Sequence, residues 1–370
     1  MKGLAHAGLA PGGETVDAEG DVGDIAAHDG DSVVGHAVIF LPGDWCCFRR
    51  NSIGSMPVDA KLQAILDAGK ALGRKPVEQQ TPAEARAERA EMVAQFVPMA
   101  EYAGVRVEDR AILAADGVNG REVGVRIYRP ATGDGPWPAV VFFHGGGWVV
   151  CTLETHDPYC RALATEAGVM VVSVDYGLAP EHKFPAGLED CLAATEWVLA
   201  HGEELGASRV FVAGDSAGGT MAAVVALLLR DKGVTGLAGQ ILIYPVTAYY
   251  DPPSASYLEM AEGYGLTRKG MIWFWDHYLK DRSEAADFRA APLLADSLRG
   301  LPRAFVATAE YDVLRDEGLA YAKRLEEAGV EVTQVFAEGM NHGFACSISE
   351  FPFLPQAKDL LRRVAGWIAG

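Results

Sequence analysis

The chain has 370 residues, 49% of them hydrophobic and 22% charged, and a formal net charge of −18. That length suffices to bury one large α/β core with an appendage. The acidic balance argues against nucleic acid and anionic membrane surfaces as partners, and no apolar run approaches the ~18 residues of a membrane span.

Residues 1–55 hold Pro-Gly-Gly at 11–13, scattered acidic residues and one short apolar run from Ala37 to Leu41. They read as a disordered tail, or as non-native sequence upstream of a start at Met56, and not as a signal peptide. From Met56 the character changes. Asp59–Gly73 and Pro82–Phe96 carry helical periodicity with acidic residues early in each.

Arg106–Leu113 and Glu122–Tyr128 then read as strands joined through Asp116-Gly117, and Ala139–Phe143 as a central strand. Alternation follows: strand Val169–Val174, helix Pro185–Leu199, strand Arg209–Ala213, helix Ser216–Arg230 and strand Gln240–Tyr244. Such alternation predicts an α/β fold with a mostly parallel sheet and helices on both faces. Residues 246–295 break the rhythm with an aromatic-rich stretch whose helical part is Arg268–Leu279. The alternation resumes with strand Ala304–Thr308, helix Val313–Ala328, strand Val332–Phe336 and a last helix near Pro355–Ile368. The pieces 56–103 and 246–295 are expected to form a helical cap over the core.

Gly214-Asp215-Ser216-Ala217-Gly218 lies between the strand Arg209–Ala213 and a helix that is apolar all round. In a chain with 42 glycines the bare Gly-x-Ser-x-Gly pattern is weak; its place between strand and helix makes it the nucleophile elbow of an α/β hydrolase. A serine hydroxyl attacks only when a base takes its proton and a carboxylate orients that base. In this fold the chain order is Ser, acid, His. His342, in Gly339-Met340-Asn341-His342-Gly343, is the downstream histidine on a loop after a strand, whereas His277 falls inside the aromatic helix. Asp312 follows the strand Ala304–Thr308 and is the expected acid; Asp316 and Glu317, one turn on, read as helix N-terminal acids.

The oxyanion formed on attack needs preorganised N–H donors. Ala217 offers one at the start of the elbow helix, and His144-Gly145-Gly146-Gly147-Trp148, after a strand, offers others. The competing reading, a phosphate loop, lacks the Lys-Ser/Thr of a P-loop and any nearby basic residue. His156, His182 and His201 read as loop or helix-surface residues, Asp215 as a hydrogen-bonding brace of the elbow, and Cys151 as a packing residue. The six cysteines (Cys46, Cys47, Cys151, Cys160, Cys191, Cys346) form no C-x-x-C pair and no metal-ligand spacing with histidine, so reduced thiols in the cytoplasm are expected.

Together His144-Gly145-Gly146-Gly147-Trp148, Gly214-Asp215-Ser216-Ala217-Gly218-Gly219, Asp312 to Gly318 and Asn341-His342-Gly343-Phe344 make the chain, over about residues 56–370, similar to the bacterial hormone-sensitive-lipase-like esterases. The resemblance implies Ser216, Asp312 and His342 as triad and Gly146, Gly147 and Ala217 as oxyanion donors. It also implies hydrolysis of short- to medium-chain carboxylic esters with neither metal nor organic cofactor. Asp175-Tyr176-Gly177-Leu178-Ala179-Pro180-Glu181 matches a further motif except at Gly177, where similar proteins carry arginine; Val313 replaces a usual proline. Trp148, Trp273, Phe274 and Trp275 are the candidate substrate-pocket residues. A small-molecule ester is the expected partner, and a homodimer is compatible with the chain. Two alternatives stay open: an amide or lactam hydrolase using the same triad, and a non-catalytic small-molecule binder, as in plant hormone receptors that resemble this family but lack the histidine.

Overall fold

The computed structural model describes residues 57–94, 99–113, 122–347 and 354–370. The expectation for residues 1–55, the turn at Asp116-Gly117, Cys46 and Cys47 lie outside them. Two helices come first, α1 (Ala60–Ala71) and α2 (Pro82–Val93). Asp59 caps α1 by accepting from the Lys61 and Leu62 N–H groups. Thr81 and Glu84 cap α2 reciprocally, with Pro82 at the first turn, where its missing N–H removes no hydrogen bond.

Eight strands form one sheet: β1 (Arg106–Leu113), β2 (Glu122–Arg129), β3 (Trp137–Phe143), β4 (Met170–Asp175), β5 (Ala207–Asp215), β6 (Leu237–Ile243), β7 (Ala304–Tyr311) and β8 (Val332–Asn341). Their order across the sheet is β1-β2-β4-β3-β5-β6-β7-β8. β2 runs antiparallel to β1 and β4, and the pairs from β4 to β8 are parallel. The remaining helices are α3 (Leu153–Ala167), α4 (Ala186–Ala200), the single turn α5 (Gly202–Leu205), α6 (Ala217–Asp231), α7 (Ala255–Glu259), α8 (Arg268–Tyr278), α9 (Arg315–Glu327) and α10 (Pro355–Ala369). None of them is long and apolar enough to cross a membrane.

The period of two along each strand sorts the core into two layers. Val141, Phe143, Val212, Leu242 and Val306 face the layer that holds α4, α6 and α9. Their neighbours Val140, Phe142, Phe211, Ala213, Ile241 and Phe305 face α3 and α10. The central strands are therefore apolar on both sides, as a buried parallel sheet requires.

Helix α3 is absent from the sequence expectations. Its buried positions His156, Tyr159, Cys160 and Leu163 recur with a helical period, but Pro158 inside it reads as a breaker. Gly168 closes it in the left-handed region at φ 60°. Strand ends also run beyond expectation at β7, which continues to Tyr311, and β8, which continues to Asn341.

Register places the functional loops. Phe143 pairs with Gly214, so β3 and β5 end level. Tyr311 pairs with Asn341, so the next residues, Asp312 and His342, leave the sheet side by side. Gly218 lies so close to β3 that a Cβ on it would overlap the Phe143 carbonyl oxygen, whereas Gly366 in α10 has open space around it. Gly218→Ala is expected to cost about 3 kcal/mol or more of unfolding free energy. Gly366→Ala is expected to gain roughly 0.5–1 kcal/mol. Urea titration of the two variants checks both signs.

Candidate active site

Ser216 sits between β5 and α6 with φ 56° and ψ −122°. That conformation costs a non-glycine residue about 1–3 kcal/mol, and persists only where the surroundings enforce it. Here the Ser216 N–H donates to the Ile243 carbonyl at 2.8 Å. A Cβ on Gly214 would overlap the Gly218 carbonyl, and one on Gly219 would lie 2.9 Å from Pro245 Cβ, so both glycines are required by close backbone approach. Twelve residues of α6 are buried, which fixes the helix behind the turn.

His342 Nε2 lies 2.9 Å from Ser216 Oγ. Its Nδ1 lies 2.7 Å from Asp312 Oδ2. The other carboxylate oxygen of Asp312 accepts from the Leu314 N–H at 2.9 Å, and the Asp312 side chain is fully buried. A carboxylate held at both oxygens sets the imidazole's tautomer, with the proton on Nδ1 and a lone pair on Nε2 toward the serine. The Tyr244 ring packs on His342 at 4.6 Å, and Asn341 Nδ2 donates to the Tyr264 carbonyl at 2.8 Å, pinning the loop on both sides.

Asp316 and Glu317 point elsewhere. Asp316 accepts from the Ser256 N–H at 2.8 Å and pairs with Arg315 at 2.8 Å. Glu317 accepts from the Thr247 and Ala248 N–H groups at 2.8 and 3.2 Å. Burial pushes its carboxyl well above the ordinary range, against those two hydrogen bonds. Both residues tie the start of the 246–295 segment to α9, a larger role than helix N-terminal acids.

The loop after β3 turns with Gly146 at φ 109°, Gly147 at φ 58° and Trp148 at φ 62°. Its Gly145 N–H donates to Asp215 Oδ1 at 2.8 Å, and His156 Nε2 lies 3.1 Å from the same oxygen. Burial raises the Asp215 carboxyl, but His156 beside it and the Gly145 N–H pull harder, and the group rests below its ordinary value. His156 is thus buried in α3 against Asp215 and is not a surface residue. A lone histidine gives no sequence signal for such a contact. His182 is exposed in the loop before α4, and His201 caps the C-terminal end of α4.

No described backbone carbonyl accepts from the N–H groups of Gly146, Gly147 or Ala217, the last of these being the first residue of α6. Of the candidate pocket residues, Phe274 lies against Gly147, where any Cβ would overlap its ring. Trp148 and Trp275 are both buried; Trp148 stacks on Tyr278 at 4.3 Å and meets Trp275 at 4.7 Å. Trp273 donates from Nε1 to the Gln80 carbonyl at 3.1 Å and so joins α8 to the segment before α2. His277 Nδ1 donates to the Trp273 carbonyl at 2.8 Å, one turn back in α8, and takes no part in the hydrogen bonds that join Asp312, His342 and Ser216. Around Gly177, the loop holds Glu181 against Arg86 of α2, with N–O distances of 2.8 and 2.7 Å, and Arg86 also donates to the Val149 and Ala179 carbonyls.

Residues 140–346 match the family described as alpha/beta hydrolase fold. The chain is 45% identical over 232 residues to the carboxylic ester hydrolase LipN of Mycobacterium tuberculosis, a match covering 60% of this chain and 61% of LipN. It is 35% identical over 287 residues to the ethyl acetate hydrolase of Pseudomonas putida, covering 76% of this chain and 88% of that protein. Among solved structures, a thermostable esterase from Pseudomonas putida ECU1011 superposes with TM-score 0.79 at 41% identity, over 85% of this chain and 98% of that one.

Two outcomes follow from the geometry. A fluorophosphonate should label Ser216 and leave Ser216→Ala untouched. Asp312→Asn should slow labelling by roughly 10⁴-fold through the wrong imidazole tautomer, while Asp316→Asn stays within a few-fold. Time courses read by intact-protein mass separate these. Further, burial and the adjacent His156 lower the His144 ring from 6.5 to about 4. The unfolded chain takes up that proton below pH 6.5 and the folded chain holds it off until near pH 4. Stability is therefore present above pH 6.5 and lost as pH falls toward 4, by about 3 kcal/mol from this one group. Unfolding free energies of the wild type and His144→Asn across that window should converge toward acid.

Proposed function

The chain belongs to the hormone-sensitive-lipase-like esterases of the alpha/beta hydrolase fold, and on that premise we propose that it is a serine carboxylesterase for short- to medium-chain carboxylic esters. The observation that carries the reading is the unbroken bonding chain from Asp312 through His342 to Ser216, at 2.7 and 2.9 Å. A protein that only bound small molecules would have no use for a buried carboxylate aligned on that imidazole.

Ser216 Oγ attacks the ester carbonyl carbon while His342 Nε2 takes its proton. Asp312 stabilises the imidazolium without itself taking the proton. The N–H groups of Gly146, Gly147 and Ala217 receive the oxyanion. As the tetrahedral intermediate collapses, the carbon–alkoxy bond breaks and His342 returns the proton to the departing alcohol. Water then repeats the sequence on the acyl-serine, with His342 as base, and releases the carboxylic acid. No step calls on a metal or organic cofactor.

Helices α1 and α2 with residues 246–295 act in this reading as a cap over the C-terminal edge of the sheet, supported by the Trp273–Gln80 hydrogen bond that joins the two parts. Phe274, packed on Gly147, is the wall that limits the substrate beside the oxyanion donors. The cytoplasm is the assigned compartment, supported by the free thiols Cys151, Cys160, Cys191 and Cys346.

With p-nitrophenyl esters from acetate to palmitate, kcat/KM should peak at short acyl chains and fall at least ~10-fold by the dodecanoate, because a closed pocket forbids burial of further methylenes. Phe274→Ala should move the optimum to longer chains. A wild-type maximum at palmitate would overturn the closed pocket.

A further inference from the structure

Among the described residues, three metal-ligating side chains converge behind the nucleophile. His156, Asp215 and Cys346 come from α3, the end of β5 and the turn after β8, and their ligand atoms all lie within 4.8 Å of one another. His156 Nε2 and Asp215 Oδ1 are already 3.1 Å apart. His156 and Asp215 are buried and Cys346 is half-buried.

We propose that this cluster binds a thiophilic divalent cation, with Zn²⁺ as the type case, and that its occupancy inhibits the enzyme. One sulfur, one imidazole nitrogen and one carboxylate oxygen suit zinc-like ions, whereas calcium and magnesium demand oxygen. Sites of three protein ligands that leave a fourth place for water are a regular zinc arrangement. Charge also balances. The thiol proton of Cys346 passes to solvent, and one thiolate and one carboxylate offset the ion's two positive charges beside a neutral imidazole. A buried site without net charge avoids the penalty of an uncompensated ion. His156 Nε2, 3.1 Å from Asp215 Oδ1, donates to that carboxylate before the ion arrives, and its proton passes to solvent as the ion binds; Thr155 Oγ1, 2.8 Å from Nδ1, then accepts the one remaining ring proton.

Inhibition follows from what the ligands already hold. Asp215 Oδ1 accepts from Gly145 at the head of the oxyanion loop, so an ion that draws this carboxylate away loosens the loop. Cys346 lies four residues after His342 on the same turn, so its ligation also pulls on the loop that carries the base. Both effects fall first on the groups that meet the oxyanion and move the proton, so kcat should fall by a larger factor than KM changes.

Binding stands apart from the esterase reading and only the inhibition rests on it, so the test has two arms. Full-length Ser216→Ala should bind one Co²⁺ per chain with a near-ultraviolet thiolate-to-cobalt band, competed by Zn²⁺. Cys346→Ser and Cys346→Ala placed on that background should lose the band and at least ~100-fold in Zn²⁺ affinity, with melting temperatures showing that they fold. In the active protein, micromolar Zn²⁺ should lower kcat at least ~10-fold, reversibly with EDTA, and Cys346→Ser should be insensitive. Absence of the cobalt band in Ser216→Ala overturns the site whatever the chain hydrolyses. A band lost with Cys151→Ser and kept in both Cys346 variants overturns the ligand assignment. Zn²⁺ inhibition that persists in Cys346→Ser overturns it as well and points to His342 and Asp312. A cobalt band in a wild type that hydrolyses no ester upholds the site and removes the esterase reading alone.

Discussion

The left-handed backbone of Ser216 is the constraint around which this molecule is arranged. At φ 56° and ψ −122° the residue would relax if its neighbours allowed it. They do not, because β5 enters the turn paired on both sides, to β3 at Gly214 and to β6 at Asp215. The helix that leaves the turn is buried on nearly all its faces. Burial of its Val224, Val225, Leu227 and Leu229 side chains, at about 1.5–3 kcal/mol each, exceeds the strain several-fold. Glycine at 214, 218 and 219 is what lets strand, turn and helix approach closely enough for that burial.

Electrostatics around the elbow are sorted by what each carboxyl accepts. Asp215 takes hydrogen bonds from Gly145 and faces His156, and keeps its charge although buried. Glu317 takes two backbone N–H groups, but burial and its neighbours Asp312 and Asp316 push it toward the neutral form. The carboxylate bonded directly to His342 is that of Asp312, at 2.7 Å. A second buried anion beside it would raise the affinity of the pair for a proton and blunt the base. Charge on Asp215, one residue from the nucleophile, is spent on holding the loop after β3.

Much of this was legible in the sequence, for identifiable reasons. Strand β1 and helix α8 begin at Arg106 and Arg268, where the sequence reading puts them, and the order of Ser216, Asp312 and His342 along the chain predicts the one grouping that the register of β7 and β8 then assembles. What was not legible depended on contacts between distant segments. Helix α3 hides behind Pro158, because the missing N–H of that residue falls in the second turn and is tolerated once Tyr159, Cys160 and Leu163 pack on the sheet. The role of His156 depends on α3 lying across the end of β5, which no local pattern encodes. Glu317 looks like a solvent-facing helix acid until Thr247 and Ala248 arrive from seventy residues upstream to meet it.

The aromatic segment illustrates the same dependence from the other side. Its composition marks it as unusual, yet the residues divide by task. Trp148 lies flat on Tyr278, at an interplanar angle of 7°, and touches Trp275, so a residue of the loop itself is gripped by α8. Phe274 takes the space beside Gly147. A loop that carries φ 109°, 58° and 62° at successive residues has little intrinsic reason to stay in place. It is held from below by Asp215 and from above by these rings. Donors that are held before the substrate arrives need no reorganisation as charge develops, and this is where preorganised N–H groups gain their advantage over water.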